Sequence, residues 1–278
     1  MPSHLLLIDC PDERGLVHRI SGVLARYEFN ITSNHEFVDT TRNHFLMRTA
    51  FSGGNDTKSA LAELKKLLPP AAHVRLASDQ KRPVVILVTK EAHCLGDLLL
   101  RAAWGDYPAE IKAVIGNHAV LGPLAEKFGV PFHHVPHHGL GRAEHEEAIQ
   151  AAIAPYRPDY LVLAKYMRVL SPAFIAKWQR QIINIHHSFL PAFIGANPYR
   201  QAYERGVKII GATAHFVTDD LDEGPIIAQN VVPVSHVHSA TEMAQAGQDV
   251  EKIVLAKALR LVLEERVFQH GNRTVVFE

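Results

Sequence analysis

The first 80 residues alternate apolar and polar positions with the periods of strands and helices. Residues 5–8 form an apolar run typical of a strand, and the apolar residues of 15–27 recur at helical spacing. A polar turn at 39–43 separates two strands, and Pro69-Pro70 ends the second helix. The predicted elements are strand 5–8, helix 15–27, strand 30–39, strand 44–51, helix 61–68 and strand 73–76. This order predicts a ferredoxin-like βαββαβ domain over residues 1–80.

A second pattern begins after the polar segment 77–82 and Pro83. Residues 84–88 are apolar in succession, which is typical of a strand buried on both faces. The predicted strands are 84–88, 110–115, 132–135, 160–164 and 182–185, and the predicted helices are 95–103, 121–128, 143–154, 172–178 and 240–265. Alternating strands and helices predict an α/β domain over residues 84–278, with a doubly wound, mostly parallel sheet and helices on both faces.

Composition narrows the class of protein. With 278 residues, 47% of them hydrophobic, the chain is long enough for one large domain and a small one. Lys+Arg and Asp+Glu number 29 each, so the zero net charge gives little support to nucleic-acid binding, although a local basic patch stays possible. Cys10 and Cys94 offer no disulfide framework, and no stretch reaches the ~18 apolar residues of a membrane span. We expect a cytoplasmic protein that neither enters membranes nor is exported.

Three polar residues stand where ligands of such sheets bind. Asn184 and His186 are two residues apart at the end of a predicted strand, so their side chains project from the same face. Asp222 follows in a polar loop. An amide donor, an imidazole and a carboxylate suit acyl or formyl transfer. The alternative is that Asn184 caps a turn and His186 is a core histidine.

The wider motif carries a resemblance to a known family. Asn184-x-His186, the Ser-x-Leu-Pro turn at 188–191, His-Phe-Val at 215–217 and Asp-x-Gly-Pro at 222–225 resemble the formyltransferases that use 10-formyltetrahydrofolate. The resemblance implies that Asn184, His186 and Asp222 are catalytic. Segment 163–170 resembles the part of this family that holds the pterin ring. The substrate-binding residues so implied are Met167, Arg168, Val169, Leu170, Thr218 and Leu221.

The first domain resembles another family. Its segment 9–17, at the first strand-to-helix turn, and Asn30-Ile31 resemble an ACT domain. The resemblance implies an amino-acid effector near Gly15 and Asn30 and assembly into a homo-oligomer through exposed strand edges. The alternative is that Gly15 only relieves a turn and Asn30 only caps a loop.

The acceptor of the formyl group is inferred by comparison within the family. The turn at 89–97 lacks the consecutive small residues that wrap a phosphate and carries Glu91 and Asp97, which disfavours a nucleotide substrate. The members of the family that act on transfer RNA carry a further C-terminal domain, whereas this chain ends soon after helix 240–265. The comparison therefore disfavours a transfer RNA substrate. Water remains, and nearly the whole chain resembles the formyltetrahydrofolate deformylases.

That resemblance implies hydrolysis of 10-formyltetrahydrofolate to tetrahydrofolate and formate, without a cofactor, in support of purine synthesis and one-carbon balance. Two alternatives stay open: a formyltransferase with an amine acceptor, and a regulatory protein with a vestigial folate site. A histidine group, His133, His134, His137 and His138, has two pairs at i, i+4 spacing. Because Pro136 interrupts it and no carboxylate or cysteine joins it, we predict no metal site.

Overall fold

A computed structural model describes residues 3–77, 80–192 and 198–278 of the chain. The chain divides into two compact units. Unit 1 comprises residues 1–80 with 275–278, and unit 2 comprises residues 81–274. Whether residues 1–80 and 84–278 fold as independent domains stays a prediction.

Unit 1 contains a four-stranded antiparallel sheet and two helices. Its elements are β1 (Ser3–Pro11), α1 (Leu16–Arg26), β2 (Phe29–Asp39), β3 (His44–Gly53), α2 (Thr57–Leu67) and β4 (His73–Leu76). The strands lie in the order β2-β3-β1-β4. Helix α2 begins four residues earlier than its apolar pattern predicts, because Asp56 accepts a hydrogen bond from the backbone N–H of Ser59. The predicted βαββαβ order is confirmed.

Unit 2 is built on a seven-stranded sheet. Its elements, with the closing strands of the chain, are β5 (Arg82–Val88), α3 (His93–Trp104), β6 (Ala109–Gly116), α4 (Gly122–Lys127), β7 (Phe132–His134), α5 (Arg142–Ile153), β8 (Tyr160–Ala164), α6 (Pro172–Lys177), β9 (Ile182–His186), α7 (Pro198–Arg205), β10 (Ile209–Phe216), β11 (Ile226–Pro233), α8 (Ala240–Leu263), β12 (Val267–His270) and β13 (Arg273–Val276). Of β10 the sequence indicated only the His-Phe-Val end, and the pattern did not predict α7, β11, β12 or β13.

The strand order of this sheet explains where a ligand can bind. The order is β11-β10-β9-β8-β5-β6-β7, with parallel pairing from β9 to β7 and antiparallel pairing of β10 with both of its neighbours. After β5 the chain first adds β6 and β7 on one side and then crosses to β8 on the other. In open α/β sheets, ligands bind at this reversal, beyond the carboxyl ends of the strands.

The core of unit 2 lies on both faces of the sheet. Residues of α3 and α8 pack on one face, and residues of α5 and α6 pack on the other. The five residues Val84–Val88 of β5 are fully buried, as their apolar run predicts. The doubly wound, mostly parallel α/β fold is therefore confirmed.

Candidate functional site

Strand β9 pairs with β8, next to the reversal point, and presents two polar side chains at its carboxyl end. Asn184 and His186 line the same cavity, and His186 is buried. Ile185, between them, belongs to the hydrophobic core. Because side chains alternate along a strand, Asn184 and His186 lie side by side in the cavity, while Ile185 anchors the strand in the core.

The Ser-x-Leu-Pro turn after β9 is fastened to the neighbouring strands. Thr213 of β10 donates its hydroxyl to the Ser188 carbonyl at 2.9 Å and accepts from the Leu190 N–H at 3.0 Å. Gln229 of β11 donates to both the Leu190 carbonyl, at 3.0 Å, and the Thr213 hydroxyl, at 2.9 Å. These bonds satisfy the polar groups of a buried turn and fix where the strand before it ends.

The loop that carries Asp222 depends on a glycine. A Cβ on Gly224 would lie 1.8 Å from the Phe216 carbonyl oxygen, so only glycine allows the chain to pass this close to β10. The Pro225 carbonyl then accepts from the Phe216 N–H at 2.9 Å. Asp222 itself has a φ of 59°, a left-handed conformation that Asp tolerates better than most residues. The Asp-x-Gly-Pro sequence thus brings the carboxylate back to the end of β9.

His186 and Asp222 form the central pair of the site. The Nδ1 atom of His186 lies 3.2 Å from Oδ1 of Asp222. Burial opposes the charge on Asp222, but the hydrogen bond from His186 and the nearby imidazoles outweigh it and hold the pKa of Asp222 below its ordinary value. The carboxylate therefore accepts a hydrogen bond from a protonated Nδ1, which leaves Nε2 as the reactive nitrogen. This buried Nε2 has no hydrogen-bond partner among the residues that the structure describes.

His215 is a residue of the site to which sequence reasoning gave no role. It lies opposite Asn184 in the β9–β10 pairing, and its Nε2 lies 3.1 Å from Nδ2 of Asn184. Its Nδ1 lies 3.0 Å from the Phe216 carbonyl, so Nδ1 donates there and Nε2 accepts from the amide. Burial holds the pKa of His215 below its ordinary value, which favours this neutral form. The orientation of the Asn184 amide is thereby fixed.

A cavity of about 800 Å³ contains all these groups. All six residues predicted to bind substrate line it, together with the three predicted catalytic residues; the six are Met167, Arg168, Val169, Leu170, Thr218 and Leu221. The side chains of Met167 and Val169 are more than half exposed and offer apolar surface. The backbone N–H of Met167 donates to the Thr89 hydroxyl at 2.9 Å, which ties this segment to the end of β5.

A second group of residues that line the cavity is polar. It comprises Glu91, Lys165, His187, Tyr199 and Gln248. The His187 ring stacks on that of His186, with centroids 5.1 Å apart. Burial, the charge of Lys165 and the neighbouring His186 lower the pKa of His187 to about 4, so this imidazole is neutral at pH 7. Asp97, the other acidic residue of the turn at 89–97, is instead paired with Arg101 at 2.8 Å.

One group of possible metal ligands occurs in the described part of the chain: His93, Cys94 and Glu251. The Nζ atom of Lys165 lies 3.2 Å from Glu251, and burial raises the pKa of the Cys94 thiol. An ammonium group and a protonated thiol both disfavour a bound cation. Of the histidines considered from the sequence, His133 bonds instead to the Tyr156 hydroxyl at 2.6 Å.

The two residues predicted to bind an effector lie in unit 1. Gly15 precedes α1 with a φ of 85°, and a Cβ there would meet no atom within 4 Å. Asn30 is exposed near the start of β2. The left-handed backbone explains the glycine by itself, so effector binding stays a prediction.

Comparison with known proteins agrees with this geometry. The formyl transferase family model matches residues 82–259, and the ACT domain model matches residues 4–69. The structure of glycinamide ribonucleotide transformylase 1 from Symbiobacterium toebii superposes with a TM-score of 0.69 at 30% identity, covering 72% of this chain and 96% of that one. The fold and the site together define a protein of the formyl transferase class.

Relatives that match both units are more similar. Formyltetrahydrofolate deformylase of Haemophilus influenzae is 53% identical over 98% of both chains, and that of Escherichia coli is 56% identical over 96% of this chain and 95% of its own. The crystal structure of a formyltetrahydrofolate deformylase from Pseudomonas syringae pv. tomato has a TM-score of 0.94 at 40% identity, covering 99% of this chain and 94% of that one. The chain belongs to the formyltetrahydrofolate deformylase family.

Among the described residues, none of the helices combines the length and the apolar character that crossing a bilayer requires.

Proposed function

We propose that the protein hydrolyses 10-formyltetrahydrofolate to tetrahydrofolate and formate. The observation that carries this proposal is the convergence of Asn184, His186 and Asp222 on one cavity in a chain whose relatives are named for that activity. The reaction uses water and needs no cofactor, because the folate is itself the substrate. Formate released in this way supports purine synthesis and adjusts the one-carbon pool.

The three residues divide the chemistry among them. Asp222 accepts a hydrogen bond from the Nδ1–H group of His186 and helps to place the attacking water. His186 takes a proton from that water through Nε2, and the resulting imidazolium, with the Asn184 amide, stabilises the oxyanion on the formyl carbon. The bond to N10 then breaks, and the proton held by His186 passes to N10. Loss of an oxyanion donor costs about 10²–10³ in turnover, so Asn184→Ala and His186→Ala should be almost inactive.

The folate is held by the segment after β8. The backbone groups of Arg168 and Leu170 read the edge of the pterin, while Met167 and Val169 supply apolar contact. The loop with Thr218 and Leu221 closes the opposite side. What supports this assignment is that all six residues border one cavity with the catalytic groups.

A formyltransferase with an amine acceptor is the second candidate. The observation in its favour is the structural likeness to a glycinamide ribonucleotide transformylase. Glu91 stands against it, because it borders the cavity where the turn after β5 leaves the sheet and would repel a phosphate.

Measurement of formate from 10-formyltetrahydrofolate with the purified enzyme separates the two candidates. Hydrolysis predicts equal amounts of formate and tetrahydrofolate without any added amine. Tetrahydrofolate that forms only after glycinamide ribonucleotide or another amine is added, with little formate, would favour the transferase.

Unit 1 supplies regulation and assembly in this proposal. Its match to the ACT domain supports an amino-acid effector near Gly15 and Asn30, and the open edges β2 and β4 support a homo-oligomer. Assay of formate release with and without glycine or methionine tests the effector. We place the enzyme in the cytoplasm, since both cysteines, Cys10 and Cys94, are free and buried.

A further inference from the structure

A lysine stands in a strained backbone position at the reversal point of the sheet. Lys165 directly follows β8 and has a φ of 59°, in the left-handed region that glycine occupies without penalty. A non-glycine residue in such a conformation costs on the order of 1 kcal/mol or more and tends to persist where function requires it. The contacts of the lysine side chain therefore indicate whether it serves such a function.

The side chain is buried between two carboxylates. Lys165 is 5% exposed, and its Nζ lies 3.2 Å from Glu251 and 3.8 Å from Glu91. Glu251, on α8, is fully buried, and it also accepts hydrogen bonds from His93 at 2.7 Å and from the Tyr199 hydroxyl at 2.6 Å. Such a network holds the ammonium group in one place.

This network borders the same cavity as residues 167–170, which are proposed to hold the pterin. Glu91, Lys165, Tyr199 and Gln248 line the same cavity as His186 and Asp222. An ammonium group has three N–H donors, and the two carboxylates can engage two of them. At least one donor thus remains for a molecule in the cavity. A water molecule can accept that hydrogen bond in the space beside the ammonium group, whereas a larger amine needs the space that the lysine side chain fills.

The acceptor site is the part of the cavity that Glu91, Lys165, Tyr199 and Gln248 border. We propose that Lys165, held by Glu251 and Glu91, is the specificity-determining residue that reserves this site for water and excludes amines. This inference rests on the proposed hydrolytic function and identifies the residue that selects the acceptor. The lysine is not required to exchange a proton with the substrate. Its ammonium group occupies space and binds acceptor water, and the carboxylates keep it from turning away.

The test replaces the side chain and offers an alternative nucleophile. Lys165→Gly removes the ammonium group and suits the left-handed backbone. Hydroxylamine is the probe, because it is small and its amino group is uncharged at neutral pH. In the transfer reaction its nitrogen forms a bond to the formyl carbon as the bond to N10 breaks, and the proton that it loses ends on N10. Formate and formohydroxamate are both measured, with the uncatalysed reaction subtracted.

A matched control exists in the same unit. Arg180 is also a basic residue with a left-handed backbone, with a φ of 62°, but it is exposed and does not line the cavity. Arg180→Gly should keep the formate turnover and the product ratio of the wild type. For Lys165→Gly we expect formate turnover to fall about tenfold or more and the ratio of formohydroxamate to formate to rise about tenfold.

The outcomes separate this inference from the proposed function. Wild-type enzyme that releases no formate would overturn the proposed function and this inference with it. Wild-type enzyme that releases formate, with a product ratio for Lys165→Gly equal to that of Arg180→Gly, would overturn only the role of Lys165. If Lys165→Gly does not fold, Lys165→Gln takes its place, since it keeps an N–H donor and is shorter. A smaller shift of the ratio in the same direction is then expected, and an unchanged ratio overturns the inference.

Discussion

At the residue scale, the site depends on neighbours that fix the orientation of each catalytic group. His186 is oriented by Asp222, and Asn184 is oriented by His215. The second pair is the less obvious one, because His215 has no expected contact with the reacting atoms. Its Nε2 accepts from the amide of Asn184 only because its Nδ1 donates to a backbone carbonyl. The position of the amide donor therefore depends on the tautomer of this imidazole.

Replacement of His215 by leucine tests this orientation. His215→Leu leaves Asn184 without its acceptor, so we expect kcat for formate release to fall about tenfold or more while KM changes little. His145→Leu is the control, because His145 is equally buried and bonds to the Val135 carbonyl, away from the cavity. The control should lose stability and keep the wild-type kcat. If His215→Leu also keeps the wild-type kcat, His215 has no such role.

The lowered pKa of His187 makes the free energy of unfolding of the protein depend on pH. Its folded-state pKa of about 4 lies below the ordinary value of 6.5. Between these values the unfolded chain binds a proton that the folded protein does not, so the free energy of unfolding falls as pH falls from 6.5 to 4. His187→Gln lacks this loss, and its stability relative to the wild type should improve by roughly 3 kcal/mol over that interval. Urea titrations at pH 7 and pH 4 measure the difference, and parallel behaviour of the two proteins would refute it.

At the scale of elements, α8 contributes both to the polar network beside the cavity and to the hydrophobic core. It carries Glu251 on the same stripe as apolar residues such as Val254 and Leu255. One turn earlier, Gly247 lies under the ring of Tyr199 on α7, where an added Cβ would come within 2.1 Å of the ring. The small residue is thus required for Tyr199 to reach Glu251.

Two glycine-to-alanine variants should therefore have opposite effects. Alanine favours a helix over glycine by about 0.8–1 kcal/mol, and at Gly96 of α3 a Cβ meets only Leu124, at 3.9 Å. Gly96→Ala should stabilise the protein. Gly247→Ala should destabilise it by about 1–3 kcal/mol and reduce formate release, since Tyr199 must move. Thermal unfolding of both variants measures this, and equal stabilisation by the two would contradict the packing described here.

The elements differ in how far the sequence could predict them. The run Val84–Val88 predicted a buried strand because a strand covered on both faces needs apolar residues throughout. By contrast, α7 has a polar sequence, and β11 carries several exposed residues, so neither has a strong apolar period. Asn184 and His186 could be predicted because the i, i+2 spacing is local. The role of His215 depends on the pairing of β9 with β10, which the sequence does not state.

The network around Lys165 could not be predicted from the sequence either. Its members are distant in sequence, and their contact depends on how α8 packs against the sheet. One signal was available: Glu251 interrupts the apolar face of α8 between Val250 and Val254. A carboxylate in such a position needs a buried partner, although the pattern cannot say which residue provides it.

At the scale of the whole molecule, we expect unit 2 to catalyse the reaction and unit 1 to mediate assembly. The sheet of unit 1 ends in β2 and β4, and β2 carries the exposed side chains Phe37 and Val38. An open edge with apolar residues favours pairing with a second copy of the chain.

Light scattering tests this assembly. The wild type should be larger than a monomer at micromolar concentration, and Phe37→Glu should be smaller because it places a charge at the paired edge. Trp104→Glu is the control, since Trp104 is the most exposed large apolar residue in the described part of the chain and lies on α3 in unit 2. A monomeric wild type, or a size lowered equally by both variants, would argue against assembly through β2.

Asp222→Asn examines the central claim most directly, because it keeps the shape of the side chain and removes its charge. Formate release from 10-formyltetrahydrofolate is measured with the purified variant, after circular dichroism and thermal unfolding have shown a wild-type fold. We expect turnover to fall by about 10²-fold or more, since His186 loses the carboxylate that orients it. A folded Asp222→Asn variant that releases formate at the wild-type rate would contradict the account.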